Sequence, residues 1–325
     1  MPKINRIGVL TSGGDSPGMN ACIRAVVRTA LYHDIHVVGV MRGYAGLIEG
    51  EIKEMGVSSV SNIIQRGGTI LKTARSEEFK TPEGRSQAYA NIQKWDIDAL
   101  ITIGGDGTYR GASDLSREYN VPVVGAPGTI DNDIFGTDFT IGYDTAINIA
   151  LDAVDRIRDT ASSHERIFFV EVMGRNSGFI AIDVGVAGGA EAILIPETLT
   201  DIDKLCDVLV KGRKRGKISS IVIVAEGDEA GNSYKIAEKV KEKTGLDYRA
   251  TILGHIQRGG SPTARDRILA SRIGSSAVEA IRNGMSGIMI GEVQGKITST
   301  ELEVIWSNKK SVDMNLCHLA EILSI

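Results

Sequence analysis

The chain has 325 residues, 42% hydrophobic and 24% charged, with a formal net charge of −4. That length allows two domains with sizeable cores, and the slight acidity carries no polyanion signal, so nucleic acid is not expected as a main partner. Cys22, Cys206 and Cys317 are scattered and odd in number, which argues against a disulfide framework or zinc site and for a reducing cytoplasm; no signal peptide and no membrane-spanning apolar run is expected.

Glycine is the outlier, with 38 residues, many paired after apolar runs in the manner of phosphate loops. Ile7–Leu10 predicts a short strand, Thr11–Gly18 a loop, and the apolar positions Ala21, Ile23, Val26, Val27 and Ala30 a helix from Met19. Strand, glycine loop and helix begin a doubly wound nucleotide-binding sheet. Gly13-Gly14-Asp15 brings backbone N–H groups and a helix N-terminus toward an anion. It is neither G-x-G-x-x-G nor G-x-x-x-x-G-K-[ST], and alone it reads equally well as a tight turn.

Arg24 and Arg28 share a helix face, which without context is a solvated one. Ile35–Val40 predicts the next strand. In the glycine loop that follows, Arg75 can reach a phosphate or pair with Glu77 or Glu78, and the spacing favours the pairing. Ala99–Ile103 predicts a strand, Gly104–Thr108 a second glycine loop, and a helix is expected from near Tyr109. Asp106, set among glycines, suits Mg²⁺, which takes one or two carboxylates plus phosphate oxygens and water. Helix capping is the alternative.

Val121–Val124 predicts a buried strand that Pro127 and Gly128 break. Thr129, Asp131, Asn132 and Asp133 then crowd one loop at its carboxyl end, where open α/β sheets bind ligands. Taken alone, an Asx-rich turn explains the string equally well. A helix to about Thr160 follows, with Ala146, Ala150 and Val154 inward. Strands are expected at Ile167–Val172, Ala192–Ile195, Ile221–Ala225 and Ala250–Leu253, with Lys211–Lys217 a solvated basic turn. A boundary near 140 is read from the long helix. Ile-Gln-Arg-Gly-Gly occurs at Ile64 and again at Ile256, too short a repeat to establish duplication.

Strand ends thus carry Asp15, Asp106, Asp131, Arg175, Glu226 and His255. Glycines and a metal-type carboxylate in one half, and Arg166, Arg175, Arg249, Arg258 and His255 in the other, make a phosphoryl-transfer layout. In that layout Asp131 accepts the proton of the attacking hydroxyl.

The strings Leu10–Asn20, Gly104–Thr108, Pro127–Asp133, Glu171–Arg175 and Gly254–Pro262, with their spacing, closely resemble bacterial ATP-dependent 6-phosphofructokinases over nearly the whole chain. The resemblance implies two doubly wound α/β domains with the active site in the cleft between them. It puts the ATP-binding domain at 1–140 plus about 256–304, and the fructose 6-phosphate-binding domain at 141–255 plus about 305–325. It implies the committed step of glycolysis: MgATP and fructose 6-phosphate give ADP and fructose 1,6-bisphosphate in a cytoplasmic homotetramer.

By the same resemblance Asp131 is the general base, Thr129 and Arg175 bracket the transferring group, and Asp106 holds Mg²⁺ with Asp133 in support. Gly14, Arg75, Ser76, Gly105, Gly107 and Thr108 line the ATP phosphates, and Arg75 also stabilises the transition state. Met173, Gly174, Glu226, His255 and Arg258 bind the sugar phosphate, with Arg166 and Arg249 reaching in from a neighbouring subunit. An ADP or phosphoenolpyruvate effector is expected at Arg24, Arg28, Arg158, Gly189, Glu191, Arg215 and Lys217, although Val57, Ser58 and Asn62 depart from the regulated pattern.

Pyrophosphate-dependent relatives are the alternative. They carry a larger side chain at the position of Gly107 and a lysine at that of Gly128, where either would occupy nucleotide space, so the glycines favour ATP. A nicotinamide dehydrogenase needs the missing fingerprint. A silent regulatory subunit would have lost Asp106, Asp131 or Arg175.

Overall fold

A computed structural model describes residues 4–161, 163 and 166–324. The strands are β1 (Arg6–Thr11), β2 (His36–Val40), β3 (Ile52–Met55), β4 (Ala99–Gly104), β5 (Val123–Pro127), β6 (Ile167–Val172), β7 (Ala192–Leu194), β8 (Ser220–Ala225), β9 (Tyr248–Ile252), β10 (Ile288–Val293) and β11 (Lys296–Glu301). The chain divides into two compact units. One holds Met1–Ile130, Ile134–Thr145 and Arg258–Lys310; the other holds Asp131–Asp133, Ala146–Gln257 and Ser311–Ile325.

The first unit is a sheet in the order β11-β10-β5-β4-β1-β2-β3. Its inner strands are parallel, while β3 and β11 run antiparallel at the edges. From β1 the chain winds one way to β3, then returns to β4 and winds the other way. The reversal puts the topological switch point between β1 and β4, where such sheets open a crevice for ligands. Ile7, Val9, Leu10, Leu100, Ile101 and Ile103 are fully buried because helices cover both faces, which is why these strands read as unbroken apolar runs. The helix Met19–Tyr32 turns Cys22, Ile23, Val26, Val27 and Ala30 into that core, an i, i+3, i+4 stripe.

Several boundaries differ from expectation, and two of them bear on the site. Pro127 belongs to β5 rather than ending it. It pairs with Gly104, and its carbonyl accepts the Ile141 N–H at 2.7 Å. Proline removes a donor but leaves the acceptor, so a strand end tolerates it. The helix expected near Tyr109 begins at Asp106, because Gly105 is extended and the Thr108 and Tyr109 N–H groups already bond to its carbonyl at 2.9 and 3.2 Å.

Asp266, 1% exposed, closes the crossover after β5. It accepts the Gly142 and Thr145 N–H groups at 2.8 Å each and the Thr145 hydroxyl at 2.5 Å. Burial raises its carboxyl above the usual range in spite of those bonds.

The second unit is a sheet in the order β7-β8-β6-β9, all parallel. Phe169, Val222, Val224, Ile236 and Val240 form its core. The strands end together: Glu226 N–H bonds to Val172 O at 3.0 Å and Leu253 N–H to Glu171 O at 3.0 Å. The loops after β6, β8 and β9 are therefore neighbours.

Candidate active site

In the first unit the glycine loops converge at the switch point. Ser12 N–H donates to Ile103 O at 3.0 Å, the Thr108 hydroxyl to Ser12 O at 3.1 Å, and Gly128 N–H to Gly104 O at 3.0 Å. These bonds set side by side the loops after β1, β4 and β5, which carry Gly14, Gly105, Gly107, Thr108 and Thr129. The Thr73 hydroxyl bonds to Gly13 O at 2.7 Å, which adds the segment carrying Arg75 and Ser76. Asn20, 1% exposed, braces that segment through Arg66 O, Gly67 O and Ile70 N–H. It is the last residue of the first motif string, and only the fold shows what it does. The two copies of the repeated string also meet here: a Cβ on Gly67 would lie 2.3 Å from Gly260 O, and the Ser261 hydroxyl, just past the second copy, donates to Gln65 O at 2.7 Å.

Asp106 sits in the first helical turn, where the dipole favours negative charge. Its Oδ2 meets Arg110 Nε at 3.1 Å, while the shielded Oδ1 has no hydrogen-bond partner among the described residues. A shielded carboxylate oxygen left without a donor is chemically suited to a hard cation. Arg75 is exposed and makes no ion pair with Glu77 or Glu78, since Glu77 pairs with Lys80 instead. The pairing that the spacing favoured is thus absent, and Arg75 faces solvent.

The glycines that separate donor types behave differently. A Cβ on Gly107 would meet nothing within 4 Å, so that position leaves ligand space. A Cβ on Gly128 would lie 2.9 Å from Ile103 Cγ2 and 3.1 Å from Met19 Cε. Close packing thus asks for glycine at position 128 in addition to any demand from a ligand.

Arg258 belongs to this unit, apart from the other sugar-phosphate candidates. Its guanidinium bonds to Asp15 O at 3.1 Å and lies 2.8 Å from where a Cβ on Gly14 would be.

In the second unit Asp131 is 3% exposed, with Oδ2 3.4 Å from Arg175 Nε. Met173, Gly174 and Arg175 follow β6, Glu226 follows β8, and His255 follows β9. All lie on the same sheet edge, and Glu226 and His255 are exposed there. Arg175 has φ 52°, in the left-handed region a non-glycine residue adopts only under constraint. Arg166 precedes β6, and Arg249 pairs with Phe168 near its start. Both therefore sit at the opposite edge of the sheet from Arg175.

The expected effector residues fall into two sets. Arg158 donates to the carbonyls of Gly188 and Gly189, the latter at 2.9 Å. Buried Glu191 accepts Ile221 N–H and pairs with Lys217 Nζ at 2.7 Å, so Lys217 is not part of a merely solvated turn. Arg215 ends the helix Ile202–Lys214. Arg24 and Arg28 lie on the Met19–Tyr32 helix of the other unit.

The sequence profile of the phosphofructokinase family matches residues 6–281. The chain belongs to that family. It is 57% identical to the ATP-dependent 6-phosphofructokinase 1 of Thermus thermophilus over 322 residues, covering 99% of this chain and all of that one. The solved phosphofructokinase of Saccharomyces cerevisiae aligns with TM-score 0.89 and 39% identity, over 92% of this chain and 45% of the yeast chain. A pyrophosphate-dependent phosphofructokinase of Marinobacter aquaeolei shares the fold, with TM-score 0.85 at 24% identity over 96% of this chain and 86% of that one. Among the described residues no helix is long and apolar enough to cross a membrane.

Proposed function

We infer that this phosphofructokinase-family protein transfers the terminal phosphoryl group of ATP to the 1-hydroxyl of fructose 6-phosphate. The products are fructose 1,6-bisphosphate and ADP, the committed step of glycolysis. Relatives named for this ATP-dependent activity cover nearly the whole chain. The structural observation that supports it most is the buried Asp131 carboxylate beside the Arg175 guanidinium. A buried carboxylate that stays ionised needs a cationic neighbour, and one placed so can take a proton from an attacking hydroxyl.

In this reading the glycine loops of the first unit cradle the nucleotide phosphates, with Gly14, Ser76, Gly105, Gly107 and Thr108 lining them. Exposed Arg75 balances the charge that develops on the transferring group. Asp106 would hold Mg²⁺ through its unpartnered Oδ1, and the cation's contribution is to neutralise phosphate charge. In the second unit Met173, Gly174, Glu226 and His255 bind fructose 6-phosphate. Arg258 is assigned to the sugar phosphate as well. Asp131 takes the 1-hydroxyl proton as that oxygen bonds to the γ-phosphorus and the bond to ADP breaks. Thr129 and Arg175 bracket the phosphoryl group.

The assembly proposed is a cytoplasmic homotetramer in which Arg166 and Arg249 serve a neighbour's site. Their place on the sheet edge opposite Arg175 supports an outward role. ADP or phosphoenolpyruvate is the proposed effector, held by Arg24, Arg28, Arg158, Arg215 and Lys217 with Gly189 and Glu191. Open space at Gly107 favours ATP over pyrophosphate.

Asp131→Ser is the test. Turnover is expected to fall by at least about two orders of magnitude while fructose 6-phosphate still binds. Near-normal turnover would remove Asp131 from its role, and turnover with pyrophosphate in place of ATP would replace the donor assignment.

A further inference from the structure

The loop presenting Arg175 is held by residues outside the substrate-binding set. Met173 N–H donates to Oε1 of Gln257, a fully buried side chain, at 2.9 Å. The Arg175 carbonyl lies 1.9 Å from where a Cβ on Gly227 would sit, so only glycine admits it. The turn closes through Ser177 N–H to Gly174 O at 3.0 Å. Of these supports, Ser177 alone also reaches the general base. Its hydroxyl, on a residue 5% exposed, lies 3.0 Å from Gly174 O and 3.1 Å from Asp131 O.

We propose that Ser177 is a positioning residue for phosphoryl transfer: its single hydroxyl proton, shared between the carbonyls of Asp131 and Gly174, fixes the base against the Arg175 loop. The proposal rests on Asp131 being the base. The physical argument is that Asp131 and Arg175 are 44 positions apart in sequence and meet at a distance, 3.4 Å, that small backbone shifts would change. Ser177 is a short tie between the Asp131 carbonyl and the loop that carries Arg175. Without it, Asp131 keeps its chemistry but loses its register.

Ser177→Ala is expected to lower kcat about 10- to 100-fold, the scale on which a misplacement of about 1 Å acts, while the melting temperature and the KM for ATP stay close to those of the parent. Ser177→Cys, nearly isosteric and a poor donor, is read the same way if the alanine variant does not accumulate. A double-mutant cycle separates positioning from general support. In an Asp131→Ser background, Ser177→Ala should cause no further loss of the residual turnover, because the group it positions is gone. Full kcat in Ser177→Ala, or the same fold-loss in both backgrounds, would overturn the proposal. If Asp131→Ser itself turns over normally, the assignment of the base fails first and takes this one with it.

Discussion

At the scale of single residues, the side chains that matter are marked by what their neighbours leave undone. Asp106 spends one oxygen on Arg110 and has the other shielded without a donor. Arg175 occupies a left-handed backbone that costs on the order of 1–3 kcal/mol for a non-glycine residue, and its φ of 52° is held by Ser177, Gly227 and Gln257 around it. Strain kept in place by so many supports marks a site where orientation is needed. Asp106→Asn keeps the shape and removes the charge. It is expected to lower kcat/KM for MgATP by about 10- to 100-fold, with part of the loss recovered at raised magnesium and little change in melting temperature. Unchanged magnesium dependence in a titration would exclude Asp106 as the carboxylate that holds the cation.

Elements carry those residues through contacts that have nothing to do with chemistry. The helix Asp106–Tyr119 bears Asp106 at one end and Glu118 near the other. Glu118 grips Arg85, on the helix Pro82–Lys94, through two bonds of 2.6 and 2.7 Å. Arg85 also donates to Lys80 O at 2.8 Å, so one guanidinium ties two helices and a turn. The hydrogen bond from Arg85 holds the Glu118 carboxyl below its usual 4.5. A carboxyl lowered on folding stabilises above its unfolded value, and that contribution fades as pH falls through the folded one. Glu118→Gln should therefore cost about 1–2 kcal/mol near neutral pH, as expected for charged hydrogen bonds with one partner partly exposed. The gap to the parent protein should close as pH drops below 4.5. Chemical denaturation at several pH values would show this, and a gap that stays constant with pH would mean the pair contributes only packing.

For the whole molecule, the proposed assembly makes a claim no single subunit can meet. If Arg249 acts on a neighbour's substrate, Arg249→Ala is defective in what it lends, while Asp131→Ser is defective in its own site. Subunits of the two variants, mixed and allowed to exchange, should regain roughly a quarter of the parent turnover at limiting fructose 6-phosphate, from sites that pair an intact base with an intact donor. A mixture no more active than the mean of its components would place Arg249 in its own subunit's site or outside any site.

Much of this was legible in the chain. Strands buried on both faces must be apolar throughout, so β1, β4, β6 and β8 could be read directly, and the glycine pairs at the ends of β1 and β4 marked the loops proposed to hold phosphate. Both signals are local, set by period and by backbone freedom. Long-range partners were not legible. That Pro127 extends a ladder depends on which strand lies beside it. That a Cβ on Gly128 would press on Ile103 and Met19 while one on Gly107 would meet open space depends on which groups the fold brings beside each glycine. That Ser177 meets Asp131 across 46 positions depends on the path of the whole second unit. Sequence by itself determined most of the inner strands and the chemistry offered at their ends, but not β3, β10 or β11. Only the tertiary structure decided which of those ends meet, because hydrogen bonding and packing act between neighbours in space that the chain brings together from far apart.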